Sequence, residues 1–140
     1  MPNPLKKVNS ASKRIAVIDD DLAIRVLLDT VLRRLGFEVA LAEDGAAGLD
    51  LVRNGEFHLV LLDLMMPRLN GYEFLEQFHA AKLSEAHVIV FTAAGQRGVA
   101  RIPENSICAS IQKPFDLETF IQLVSTCAEG SHDAVSSSGS

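Results

Sequence analysis

The chain has 140 residues, 48% apolar and 22% charged, enough for one domain with its own core and typical of a globular protein. Its net charge of -5 runs against a basic phosphate-binding surface, so nucleic acid is not expected as a direct partner. No apolar run approaches the ~20 residues that span a bilayer, and no apolar segment backs Lys6-Lys7 as a secretory signal would, so no membrane partner is expected and the default compartment is cytoplasmic.

Residues 1–12 are polar, with Pro2 and Pro4, and read as a flexible leader. Arg14 to Ile18 is a short apolar strand that ends in Asp19-Asp20-Asp21. Asp21 then caps a helix with Ile24, Leu27, Leu28, Val31, Leu32 and Leu35 at helical spacing, closed by Gly36. Phe37 to Leu41 is a second strand. Asp44 or Gly45 opens a second helix that runs to about Arg53 and stops at Asn54-Gly55. His58 to Leu62 is a third strand. It has no polar alternation, as expected of a strand buried on both faces of a parallel sheet, and it runs straight into Asp63.

A third helix begins near Asn70, with Phe74, Leu75 and Phe78 inward. Ala86 to Phe91 is a fourth strand ending at Thr92. Gly95, Gly98 and Pro103 weaken the next segment, so only a short or frayed helix is expected within Gln96 to Arg101. Ile107 to Ile111 is a fifth strand, followed by Gln112-Lys113-Pro114-Phe115. Asp116 caps a last helix with Leu117, Phe120, Ile121 and Val124 on one face. Residues 129–140, rich in Gly and Ser, read as a disordered tail, which leaves 13–128 as the folded domain. The two cysteines, Cys108 and Cys127, lack metal-type spacing and are expected as two buried, reduced thiols.

Five strands alternating with helices imply an α/β fold: a single doubly wound, five-stranded parallel sheet with helices on both faces. Right-handed crossovers leave few topologies, of which the flavodoxin-like (βα)5 order 2-1-3-4-5 is adopted. In such sheets chemistry gathers at the carboxyl ends of the strands. Those ends carry Asp19 and Asp20, Asp63, Thr92 and Lys113. Each alone reads more simply as a loop, cap or surface residue; their joint position is what singles them out. Two like charges ~4 Å apart repel by about 4 kcal/mol at an effective dielectric of ~20, so three carboxylates call for a proton or a cation. A hard divalent ion such as Mg²⁺ takes carboxylate oxygens, waters and a phosphate oxygen. With a lysine and a threonine beside it, the set suits a transferring phosphoryl group, and Asp63 is the natural nucleophile.

Ile18-Asp19-Asp20-Asp21, Leu62-Asp63-Leu64-Met65-Met66-Pro67-Arg68-Leu69-Asn70-Gly71, Phe91-Thr92-Ala93-Ala94 and Lys113-Pro114-Phe115 together resemble the receiver domain of bacterial two-component response regulators, over about residues 13 to 128. The resemblance implies Asp63 as phosphoacceptor. It implies Mg²⁺ held by Asp19, Asp20, Asp63 and the main-chain carbonyl of Met65. It also implies Lys113 on the phosphoryl oxygens, Thr92 hydrogen-bonded to the phosphoryl group, and a cis Lys113–Pro114 bond. Two departures stand out: Ser110 occupies the position where the family often has an aromatic residue, and Gly95 to Pro103 replaces a firmer fourth helix.

The expected function is that of a stand-alone receiver and not an enzyme beyond its own phosphorylation and slow autodephosphorylation. The partners are a histidine kinase or histidine phosphotransfer protein and a downstream protein of unknown identity. Two other readings compete: a receiver-like interaction module that never carries phosphate, and a phosphohydrolase using Asp63 covalently. The second lacks a placed acid for the leaving group and a lid-sized insertion. A flavin site is disfavoured, because Asp19-Asp20-Asp21 would repel a cofactor phosphate and no glycine-rich loop stands there.

Overall fold

In the computed structural model, which describes residues 13–67, 69–80, 86–93, 95–103 and 106–128, five strands alternate with five helices. These are β1 (Arg14–Ile18), α1 (Leu22–Arg34), β2 (Glu38–Ala42), α2 (Gly45–Arg53), β3 (Leu59–Asp63), α3 (Gly71–Ala80), β4 (His87–Thr92), α4 (Gly95–Ala100), β5 (Ala109–Gln112) and α5 (Leu117–Ala128). All strand pairs are parallel, in the order β2-β1-β3-β4-β5. The expected leader at 1–12 and tail at 129–140 lie outside the described residues, as do Arg68 and Ala94 of the receiver-like motifs.

Period-two alternation along the strands divides the core. Ile15, Val17, Leu59, Leu61, Ile89, Phe91 and Ile111 face α1 and α5. Ala16, Ile18, Val60, Leu62, Val88 and Val90 face α2 and α3 on the other side. Every residue of β3 is buried, because it is the middle strand and helices cover both its faces. Ser110 is buried, paired in register with Val90, and alternation puts it on the face opposite Ala109 and Ile111.

The capping residues set where the helices start. Asp21, Asp44 and Asp116 accept from the N–H groups of Ala23, Ala47 and Thr119 at 2.9, 2.8 and 3.0 Å. Asn70 and Glu73 form a reciprocal capping box at α3: Asn70 Oδ1 accepts from Glu73 N–H at 3.0 Å, and Glu73 Oε1 from Asn70 N–H at 3.1 Å. Gly36 ends the α1 connection at φ 101°, in the left-handed region that suits glycine.

Three sequence expectations need correction. Leu27 is exposed, because the buried stripe of α1 is Leu28, Val31 and Leu32, continued by Leu35, and position 27 lies a third of a turn off it. The strand edges also move: β2, β3 and β4 each start and end one residue later than expected, and β5 starts two later and ends one later, since ladder pairing and not hydropathy sets the ends. Cys108 and Cys127 are joined as a disulfide, not two reduced thiols. β5 and α5 run in opposite directions, so the residue before the strand returns opposite the last turn of the helix.

Candidate functional site

Three strands bring their carboxyl ends to one edge of the sheet. β1 is followed by Asp19 and Asp20, β3 ends on Asp63, and β5 is followed by Lys113. Asp19 and Asp63 are buried and Asp20 is exposed. One carboxylate oxygen from each of the three lies within 4.8 Å of the other two.

Asp19 and Asp63 are held in the same way. Asp19 Oδ1 accepts from the Asp21 N–H at 2.8 Å, and Asp63 Oδ1 from the Met65 N–H at 3.0 Å. An aspartate turned back onto the N–H two residues ahead is an Asx turn, and here it fixes each carboxylate at a strand end. The other oxygens converge on one cation: Lys113 Nζ donates to Asp19 Oδ2 at 2.8 Å and to Asp63 Oδ2 at 3.3 Å. Arg25, on the first turns of α1, donates to the Asp19 carbonyl at 2.6 Å and steadies the chain from below.

Thr92 is buried at the end of β4, and its carbonyl accepts from the Lys113 N–H at 2.9 Å. The Lys113–Pro114 bond is cis. Lys113 Nζ also lies 5.0 Å from the centre of the Phe91 ring. The structure thus gathers Asp19, Asp20, Asp63 and Lys113 by their side chains, and Thr92 and Met65 by their main chains. The Met65 side chain is exposed and points to no role of its own.

Gly71 ends the motif around Asp63, and sequence reasoning assigned it no role. A Cβ there would lie 2.5 Å from Leu64 Cα and 2.6 Å from the Asp63 carbonyl oxygen. The Gly71 N–H donates to the Leu64 carbonyl at 3.1 Å, so the first residue of α3 closes the loop that carries Asp63. Tyr72, the next residue, was also missed. Its hydroxyl donates to the Gly98 carbonyl at 2.9 Å, and the Arg101 guanidinium sits 4.3 Å from its ring centre. No spacing rule links positions 72 and 98; the contact exists only once α3 and α4 lie side by side.

Burial pushes the Asp19 and Asp63 carboxyls above the usual carboxylate value, and the Lys113 contacts and turn N–H groups only partly offset it. Burial would lower the Lys113 ammonium, but the two carboxylates together outweigh it and hold it above its ordinary value. With all groups ionised, three carboxylates against one ammonium leave a local charge of -2. The oxygen-only donor set and that deficit fit a divalent hard cation.

A family model described as the response regulator receiver domain matches residues 15–125. The chain belongs to this family. Among curated relatives, the "Probable transcriptional regulator ycf27" of Cyanophora paradoxa is 40% identical over 83 residues, 59% of this chain and 34% of that one. "Response regulator MprA" of Mycobacterium sp. (strain KMS) is 42% identical over 80 residues, 57% of this chain and 34% of that one. The chain therefore spans about a third of the length of these relatives. Among solved structures, the response regulator TrrA of Thermotoga maritima, in complex with Mg²⁺-BeF, superposes with a TM-score of 0.74 at 30% identity, covering 82% of this chain and 98% of that one. A CheY-like receiver domain protein from Methanospirillum hungatei JF-1 gives a TM-score of 0.76 at 24% identity, covering 87% and 98%, a likeness of fold. This receiver domain accordingly has a signalling family, a confirmed five-stranded order, and no described helix long and apolar enough to cross a membrane.

Proposed function

We propose that this receiver domain accepts a phosphoryl group on Asp63 from a phosphohistidine of a sensor kinase or phosphotransfer protein. The observation that carries the reading is the convergence of Asp19 and Asp63 on one ammonium, with Asp20 completing the acid trio. An Asp63 carboxylate oxygen attacks phosphorus in line, the phosphorus–nitrogen bond breaks, and its electron pair returns to the donor imidazole. Lys113 stabilises charge on the phosphoryl oxygens, and Thr92 supplies a hydroxyl to them.

Asp19, Asp20, Asp63 and the main-chain carbonyl of Met65 would hold Mg²⁺, which supplies positive charge to the transferring group. TrrA, solved with Mg²⁺-BeF, supports the assignment by likeness. The aspartyl phosphate then biases the domain between two populations, one of which a downstream partner binds better. The working compartment on this reading is the cytoplasm. Slow loss of phosphate to water completes the cycle; turnover of external phosphate esters is not expected.

Intact mass after incubation with acetyl phosphate tests this, with and without Mg²⁺, for the wild type and Asp63→Asn. One added phosphoryl group, dependent on Mg²⁺ and absent in the variant, is expected. No adduct on a chain shown folded by circular dichroism overturns the reading in favour of an interaction module that carries no phosphate.

A further inference from the structure

The chain contains two cysteines, and the fold joins them to each other. Cys108 stands directly before β5, and its N–H donates to the Val88 carbonyl at 2.7 Å, so its backbone is fixed to the sheet. Cys127 lies in the last turn of α5, with the Cα atoms 6.3 Å apart. The bond sits at the end of the sheet away from Asp63 and takes no part in phosphoryl chemistry. Yet it closes the segment that carries Lys113, Phe115 and Phe120. Phe115 bridges Phe91 of β4 and Phe120 of α5, at ring-centre distances of 6.3 and 5.4 Å.

Disulfides usually compensate for a core too small to hold a domain. Here the core fills both faces of a five-stranded sheet, so packing does not demand one. In reducing surroundings such bonds are mostly transient and redox-responsive. Both sulfurs are buried, with Cys108 7% and Cys127 1% exposed. Exchange therefore requires the final turn of α5 to open, and helix ends are the least stable part of a fold. The Ala128 carbonyl, which accepts from Lys13 Nζ, is the contact that this opening breaks.

We propose that Cys108–Cys127 is a thiol–disulfide exchange site, at which a dithiol reductant releases the end of α5 and a disulfide oxidant fastens it again. A reductant thiolate attacks one sulfur, and the other leaves as a thiolate and takes a proton. The second reductant thiol then resolves the mixed disulfide. Two electrons and two protons enter the chain, and the reductant departs as its own disulfide. The domain thus takes a redox input at the opposite end from its phosphoryl site. The inference stands whether or not Asp63 is phosphorylated.

The full chain is equilibrated in graded ratios of reduced to oxidised dithiothreitol; aliquots are acid-quenched, blocked with N-ethylmaleimide in denaturant and weighed. Hydrogen exchange is followed on parallel unquenched aliquots. The expected result is two species, carrying no label or two labels, that interconvert completely with the ratio. The doubly labelled species exchanges tenfold or more faster over 121–128, with β4 unchanged, and Cys127→Ser reproduces it. Two labels even at the oxidising limit overturn the bond. No label unless denaturant is present while the reductant acts makes it a permanent staple and overturns exchange. Equal exchange rates in the two species overturn the coupling to α5. If Cys127→Ser fails to fold, the wild-type titration decides alone. Acetyl phosphate labelling in parallel reports separately on Asp63.

Discussion

Lys113 and Asp19, 94 positions apart in the chain, meet at 2.8 Å with the Asp19 side chain wholly buried. The lysine is the counter-charge for a carboxylate that water cannot reach. Removing it as Lys113→Met strands that carboxylate and should cost about 3 kcal/mol near neutral pH, the usual scale for breaking one side of a buried pair. Urea denaturation checks this. The deficit should shrink in acid, where a protonated Asp19 no longer needs the ammonium.

The raised carboxyls of Asp19 and Asp63 predict an uncommon pH slope. A group whose native pKa exceeds its unfolded value stabilises fully below the unfolded value and loses that contribution as pH rises through the native one. Without divalent cation, this contribution should therefore fall as pH climbs upward from 3.8. Lys113, raised from 10.5, keeps its contribution through neutrality and loses it only in strong alkali. Melting temperature against pH, compared between wild type and Asp63→Asn, isolates the carboxylate share. The variant should melt higher at about pH 7 without Mg²⁺.

Adding Mg²⁺ should close that gap. A ligand that binds only the native state at about 100 times its Kd stabilises by about 2.7 kcal/mol. The wild type should gain on this scale at saturation and Asp63→Asn much less. Equal gains in both would place the cation away from Asp63.

Gly71→Ala puts a Cβ against the backbone of Asp63 and Leu64, which cannot swing aside as a side-chain tip would. The expected cost is about 1–3 kcal/mol, as for other overpacked sites. Acetyl phosphate labelling of Asp63 should slow as well, because the shift falls on the loop that aims it. Full labelling in a destabilised variant would separate stability from aim.

Tyr72→Phe removes the hydrogen bond to Gly98 and keeps the ring under Arg101. About 1 kcal/mol of stability should go with it. Hydrogen exchange over 95–100 should quicken, while labelling of Asp63 stays normal.

The chain showed its strand–helix alternation because β3 is an unbroken buried run and the helix caps are aspartates and an asparagine at helix starts. Asp19, Asp20, Asp63 and Lys113 were legible as a set because a parallel sheet sends all strand ends to one edge. Partnerships between distant elements were not legible. Nothing local tells Cys108 of Cys127, or Tyr72 of Gly98, since each pair forms only when two elements pack. The α1 stripe erred at Leu27 because hydropathy marks a leucine as inward even where the helix turns it to water. The short α4, expected within Gln96 to Arg101, does form, one residue earlier at Gly95; it packs on β4 and β5, and Tyr72 donates a hydrogen bond to its Gly98 carbonyl.

The bond from Lys13 to the Ala128 carbonyl ties the first described residue to the last. Both ways out of the domain thus share one pole, and Asp63 stands at the other. Whatever is joined at residue 13 or 128 would attach on the side remote from Asp63. The length of β3, about 16 Å at ~3.3 Å per residue, separates Asp63 from that pole. A short graft bridging residues 128 and 13 should accordingly be tolerated, and new ends could be opened elsewhere on the surface.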